Sequence, residues 1–245
     1  MLKSRPVIAA VVLVVGLAMA VAGCSSEEPL PRPITEDEAD LLSEVFFTNY
    51  ENGGSDFVLN ALLPDGSTVV MTGEVDFVGG AGIAGVSATG PDAAVTEVAW
   101  GGDQVLERMP EVSAISEAAG QGPIDYVAHL ADPEQRSLDS LIAVVAALAS
   151  ESRENPLLLQ QNGVELERHD ILAGTPVDVF LYGDRTRLWV QTGTSTLKRF
   201  EGNNAPGTRP VLVDLSGPGA RELTLPAGAV VVDESQLEDL FADAG

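Results

Sequence analysis

Gly80-Ala81-Gly82-Ile83-Ala84-Gly85 matches G-x-G-x-x-G, and Asp103 stands 18 residues beyond Gly85. That spacing cradles a dinucleotide pyrophosphate when a helix begins at the glycines and aims its N–H groups at the phosphates. Here Val86-Ser87-Ala88-Thr89-Gly90 follows, strand-like and soon turning. The glycines are therefore read as letting strands turn or curve, and no cofactor is expected. The two histidines, His129 and His169, are 40 residues apart and lack the i, i+4 partner or Glu neighbour of a zinc helix. There is no G-x-S-x-G elbow and no D-x-D-x-D-G-x5-E calcium loop. With 37 acids scattered along the chain, paired carboxylates carry no signal either. No catalytic residue and no metal ligand is expected.

Charge sharpens the exclusion. Of 13 basic residues, Lys3 and Arg5 lie in a segment expected to be removed, which leaves 11 against 37 acids and a net charge near −26. Such a surface repels phosphate backbones and anionic lipid headgroups at close range, since binding either needs Lys and Arg clusters that the sequence lacks, so nucleic acid is excluded as a partner. Hydrophobic residues at 45% and aromatics at 5% suit one globular domain whose core is Val, Leu, Ala and Ile.

Cys24 is the only cysteine, so neither an intrachain disulfide nor a cysteine zinc site can form. Its position carries more. A charged start (Met-Leu-Lys-Ser-Arg), an apolar run from Val7 to Ala22, and Val21-Ala22-Gly23-Cys24 describe an export signal. The tetrad VAGC resembles the lipobox of bacterial lipoproteins, in which the cysteine becomes the first mature residue and carries diacylglycerol. An uncleaved span competes with this reading, but 16 apolar residues fall short of the roughly 20 needed to cross the hydrocarbon core. Residues 1–23 are thus expected to be a lipoprotein signal peptide and 24–34 the lipidated Cys24 plus a polar, Pro-stiffened tether, disordered or extended. Residues 35–245 form the domain. At about 0.8 kcal/mol per buried CH₂, two or three acyl chains would hold the protein on the extracytoplasmic face of the cell membrane.

The elements that must position any site begin at Thr35-Glu36-Asp37-Glu38, a capping box that predicts a helix running to Asn52-Gly53-Gly54. Period-two alternation then predicts strands from Ser55 to Met109, turned at Pro64-Asp65-Gly66, Gly79-Gly80, Gly90-Pro91-Asp92 and Gly101-Gly102. Residues 110–133 read as loops with a short turn of helix at Glu111 to Ala119. Asp132-Pro133 is expected to cap a second helix reaching about Glu151, and after Asn155-Pro156 the chain returns to strands up to Val232. A short terminal helix is expected from Glu234 to Ala242. The fold class is α+β, with a large antiparallel sheet.

The apolar face of that sheet is the feature with functional meaning. Val69, Met71, Val75, Phe77, Val177, Val179, Leu181, Leu188 and Val190 alternate inward. They either form an ordinary core on the two helices or line an apolar cavity for lipid tails. The cavity reading takes Val69, Met71, Val75, Phe77, Val179 and Leu181 from strands, and Leu141 and Val145 from the second helix.

The order of elements resembles the LolA-like superfamily, and within it the LppX/LprG-type lipoproteins of actinobacteria. The stretches that carry the likeness are VAGC, the early helix running into a strand, the hairpin TGEVDFVGGAGIAGV, and RTRLWVQTGTSTLKRF ending at PVLVDL, with Trp189 at the family's Trp position. The resemblance implies a curved half-barrel sheet with helices on its concave face and acyl chains of envelope glycolipids or lipoproteins between them. It brings no catalytic residues. The function so implied is binding or transfer of acylated lipids; the alternative is a non-catalytic scaffold or sensor for other envelope proteins. An envelope hydrolase, the third reading, requires a Ser, His or carboxylate cluster in a cleft.

Overall fold

The Thr35 hydroxyl accepts from the Glu38 N–H, and the Glu38 carboxylate accepts from the Thr35 N–H at 2.8 Å, so the capping box forms as the sequence predicts. The structure, a computed structural model, describes residues 29–63, 66–89, 95–183, 185–202, 210–224 and 228–237. The signal segment, Cys24, the Gly90-Pro91-Asp92 turn and most of the expected terminal helix lie outside them.

The capped segment is two helices rather than the expected one, α1 (Glu36–Ser43) and α2 (Val45–Asn52). The break at Glu44 has local and tertiary causes. The Ser43 hydroxyl donates back to the Asp40 carbonyl at 2.7 Å, a bond that bends helices. Around the break the Ser43 carbonyl accepts from the Glu154 N–H and the Phe46 carbonyl from the Ser150 N–H.

Three of the remaining helices follow the first meander. They are α3 (Pro110–Ala118), α4 (Ser137–Ala146) and α5 (Pro156–Gln161). The expected Asp132-Pro133 cap is corrected: Asp132 closes a turn on Gln135 and Arg136, and α4 starts at Ser137 behind an extended Arg136 held outward by Glu234 at 2.6 Å. It also stops at Ala146, short of Glu151. The return to strands at Val164 is found, as β8 from Glu165, but a helix that was not expected stands between it and Asn155. Asn155 caps α5 by accepting from the Leu157 N–H, with Pro156 at the first helical position.

Among the described residues one open sheet of 13 strands organises the rest. In chain order these are β1 (Arg32–Pro33), β2 (Gly54–Leu62), β3 (Thr68–Asp76), β4 (Ala81–Thr89), β5 (Val95–Gly101), β6 (Gln104–Glu107), β7 (Tyr126–Leu130), β8 (Glu165–Leu172), β9 (Thr175–Tyr182), β10 (Thr186–Gln191), β11 (Leu197–Gly202), β12 (Val211–Ser216) and β13 (Val231–Asp233). Their spatial order is β1-β8-β9-β10-β11-β12-β2-β3-β4-β5-β6-β7-β13. All pairs are antiparallel except β13 on β7, a parallel exception to the antiparallel sheet expected. The expected α+β class, a curved sheet with helices on its concave face, is the architecture found.

Two segments depart from expectation in instructive ways. Arg32 and Pro33, assigned to the tether, pair with Leu166 and Glu165, so the folded unit begins inside it. β7, inside the stretch expected to be loops, has four consecutive buried residues, and without alternation it gives no strand signal. Glu234 begins only a single 3-10 turn, Glu234–Gln236, within the described part of the terminal helix.

Candidate functional site

Six of the eight expected cavity residues come together. Val69, Met71 and Val75 on β3, Phe77 just beyond it, and Leu141 and Val145 on α4 share one apolar core, which runs from Phe180 and Leu188 across Phe57 and Leu59 to Trp100 and Val105. α1, α2, α4 and α5 all contribute to it. Met71 and Val145 have no accessible surface and Val75 and Leu141 have 1%. A side chain lining a water-sized hollow would show surface to it, so at these four positions the space between sheet and helices is filled by neighbouring side chains.

The other two, Val179 and Leu181, are corrected to the opposite face. β9 pairs with β10 so that Phe180 sits beside Leu188 and Val179 beside Trp189. Phe180, Leu188 and Val190 belong to the main core, whereas Val177, Val179 and Trp189 form a separate cluster on the convex side. β9 reads Thr-Pro-Val-Asp-Val-Phe-Leu-Tyr, apolar on both faces. Asp178, which alternates with Val177 and Val179, is bonded to His169 of the neighbouring strand at 2.6 Å. Convex burial is supplied by Arg168 and Arg199, whose guanidinium carbons lie 5.6 and 5.8 Å from the Trp189 ring.

The glycine motif is explained by packing. Gly82 lies in β4 opposite Trp100, and a Cβ there would meet the indole at 1.9 Å. The indole in turn stacks edge-on against Phe57, with centroids 6.1 Å apart. The motif is therefore a site of close approach between strands, and no helix starts from it.

Three polar atoms beside this interior have no hydrogen-bond partner among the described residues: Trp100 Nε1, Glu154 Oε2 and Tyr182 Oη. Burial pushes the Glu154 carboxyl above its ordinary range, and burial together with the nearby Glu154 charge pushes the Tyr182 phenol up. Sequence reasoning missed Trp100, Glu154 and Tyr182. The signal for Trp100 was present, since a glycine in mid-strand marks a neighbour that comes too close for a Cβ.

A second polar group lies under α4. His129 on β7 and Asp139 on α4 are both buried, with Nε2 3.1 Å from the carboxylate, which also accepts the Asp132 N–H at 2.8 Å. Glu107 is near, and burial pushes its carboxyl above the ordinary range. This pair ties α4 to the sheet edge, and with 40 residues between histidines nothing in their spacing pointed to it. His129 also borders a cleft of about 590 Å³ with Arg136, Asp233 and Glu234. Another cleft, about 780 Å³, lies beside α3 and is lined by Glu97, Arg108, Ser113 and Glu117 among others. Near it Tyr126 donates to Glu97, and its phenol is pushed up to about 12 by burial and by that bond. Neither cleft includes any of the eight expected residues. Among the described residues, no group of three His, Cys, Asp or Glu is placed to hold a metal, and no helix is long and apolar enough to cross a membrane.

Among solved structures the chain is similar to LprF from Mycobacterium bovis, with a TM-score of 0.50 and 13% identity over 81% of this chain and 100% of that one. Weaker likenesses are to lipoprotein LppX from Mycobacterium tuberculosis (TM-score 0.42, 11% identity, 72% and 93% covered) and to MucB (TM-score 0.41, 17% identity, 82% and 67% covered). At these identities the likeness is one of fold. No protein-family model matches the sequence, and no curated protein matches it.

Proposed function

We propose that this chain is a lipoprotein, cut before Cys24 and held by acyl chains on the extracytoplasmic face of the cell membrane, that binds an acylated lipid or glycolipid between its sheet and its helices. The observation that carries the reading is the interior itself. It is one apolar surface under four helices, bordered by Trp100 Nε1, Tyr182 Oη and Glu154 Oε2 without partners. The resemblance to LppX/LprG-type lipoproteins implies the same occupant. Met71, Val75, Leu141 and Val145 are closed against one another, so a tail enters only if the cover moves. None of the covering helices exceeds ten residues. Helices this short draw their stability from packing, which an acyl chain can supply in place of the sheet. Tyr182 would donate to the head of the ligand beside the Glu154 carboxyl.

The test is direct. Protein expressed without residues 1–23, purified and extracted with organic solvent, should release close to one acyl lipid per chain by mass spectrometry. Consistently lipid-free protein that also fails to take up added lipid would end the reading.

One observation favours a second reading, a scaffold or sensor for other envelope proteins. The complete burial of Met71 and Val145 is what an ordinary core shows. On that reading the lipid-free chain gives a stable protein complex on crosslinking, and its interior never opens.

A further inference from the structure

We infer that the rim of the sheet at the β8–β9 hairpin is the surface that lies on the membrane, with a lipid bilayer as its partner. The inference rests on the anchoring of Cys24 proposed above.

The direction of the tether comes first. β1 is antiparallel to β8, with Pro33 opposite Glu165 and Arg32 opposite Leu166. From Pro33 back to Arg32 the chain therefore advances along β8 towards its hairpin. From Leu166 to Leu172 the strand rises about 20 Å. The eight residues from Arg32 to Cys24 span at most about 28 Å, which is long enough to bring an acyl anchor to the level of the hairpin tip.

The tip has the chemistry for that position. Ile171 is 70% exposed. Ala173 has φ +48° and Gly174 φ +84°, a turn of two left-handed residues in which Asn or Gly is the unstrained choice for the first. An alanine there keeps the turn apolar at a conformational cost. Residues 171–177 carry no charge, and neither do 191–197 in the adjacent β10–β11 turn, which is joined to the first by the Thr192 N–H on the Pro176 carbonyl. Just inside stand Asp170, paired with Arg168 at 3.6 Å, Asp178, bonded to His169, and the cations Lys198 and Arg199, Lys198 being the only lysine of the mature chain. Three cations against two acids make this corner less repulsive to an anionic lipid surface than a chain near −26 is as a whole. The opposite rim also exposes leucine, Leu157 at 64%, but on α5, which packs against α1 and its acidic first turn of Glu36, Asp37 and Glu38.

Docked this way, Ile171 enters the headgroup boundary, Lys198 approaches the phosphates, and the concave interior stands end-on to the bilayer. The test uses the acylated mature chain in vesicles of phosphatidylethanolamine and phosphatidylglycerol, with Ile171→Cys or Leu157→Cys carrying an environment-sensitive dye. The expected result is a roughly threefold rise in emission at position 171, quenched by spin-labelled lipid, and no change at 157. A silent probe at 171 on an acylated chain, or a rise at 157 instead, overturns the inference and leaves the anchoring intact. An intact mass showing no acyl group on Cys24 overturns both.

Discussion

Strands β9 and β10 bury apolar residues on both sides by different means. On the concave side Phe180, Leu188 and Val190 join a core closed by helices. On the convex side Val177, Val179 and Trp189 are covered by two arginine side chains and their ion pairs, Arg168 with Glu167 and Arg199 with Asp214. The difference teaches that full burial does not require a second layer of secondary structure. The stems and flat guanidinium groups of arginine suffice over one ring.

The largest expected effect compares the two tryptophans. Trp100→Ala should lower the unfolding free energy by about 4 kcal/mol, because the concave core cannot collapse into the space. Trp189→Ala should cost only about 2 kcal/mol, because the arginines can settle onto Val177 and Val179. Urea denaturation of the two variants measures the contrast, and equal losses would break it. Next comes Gly82→Ala. Its Cβ would stand 1.9 Å from the Trp100 indole, and overpacking of this kind should cost about 2–3 kcal/mol. Gly80→Ala meets nothing within 4 Å and has only its φ of +64° to strain, so about 1 kcal/mol is expected in the same assay.

On the convex side, Arg168→Ala and Arg199→Ala should each cost about 1 kcal/mol, with part of the loss disappearing in high salt. A loss unaffected by salt would assign the whole cover to the side-chain stems. The smallest effect is pH dependence. Burial raises the carboxyls of Glu107 and Glu154 above their ordinary 4.5, so the folded state holds these protons more tightly than the unfolded chain. Their contribution is complete below about pH 4.5 and is lost as pH rises through the raised folded values. The melting temperature should therefore fall as pH rises above about 4.5, and Glu107→Gln with Glu154→Gln should flatten that fall. A double variant with an unchanged slope would remove burial of these acids as its cause.

Much of this was legible in the sequence because it was local. The Thr35 to Glu38 capping box and the glycine turns of the meander announce themselves within four residues, and Leu141, Ile142 and Val145 mark α4 by helical spacing. What was hidden depended on partners far along the chain. The carbonyls around the break at Glu44 meet the amide groups of Ser150 and Glu154. β7 is buried on both faces by elements before and after it, so its pattern does not alternate. Val179 and Leu181 were placed on the wrong face because β9 is apolar on both sides and only its pairing with β10 orients it. Of the site, the β3 and α4 residues were readable as one apolar surface. The Trp100, Tyr182 and Glu154 atoms that border it were not, since lacking a partner is a property of the folded neighbourhood. α5 was missed although its signal, Asn155 followed by Pro156, is the very signal read at Asp132-Pro133, where it proved to cap only a turn.

On the proposed function, the interior over β3 opens under α4 to take one acyl chain. Native mass spectrometry of the chain titrated with dioleoyl phosphatidylglycerol, wild type beside Leu141→Trp, addresses it most directly. The account predicts one bound lipid on the wild type and at least about tenfold weaker binding once the indole occupies the tail's place, a difference of about 1.4 kcal/mol. A wild type that never gains lipid mass, or a Leu141→Trp variant that binds as well as wild type, would contradict it.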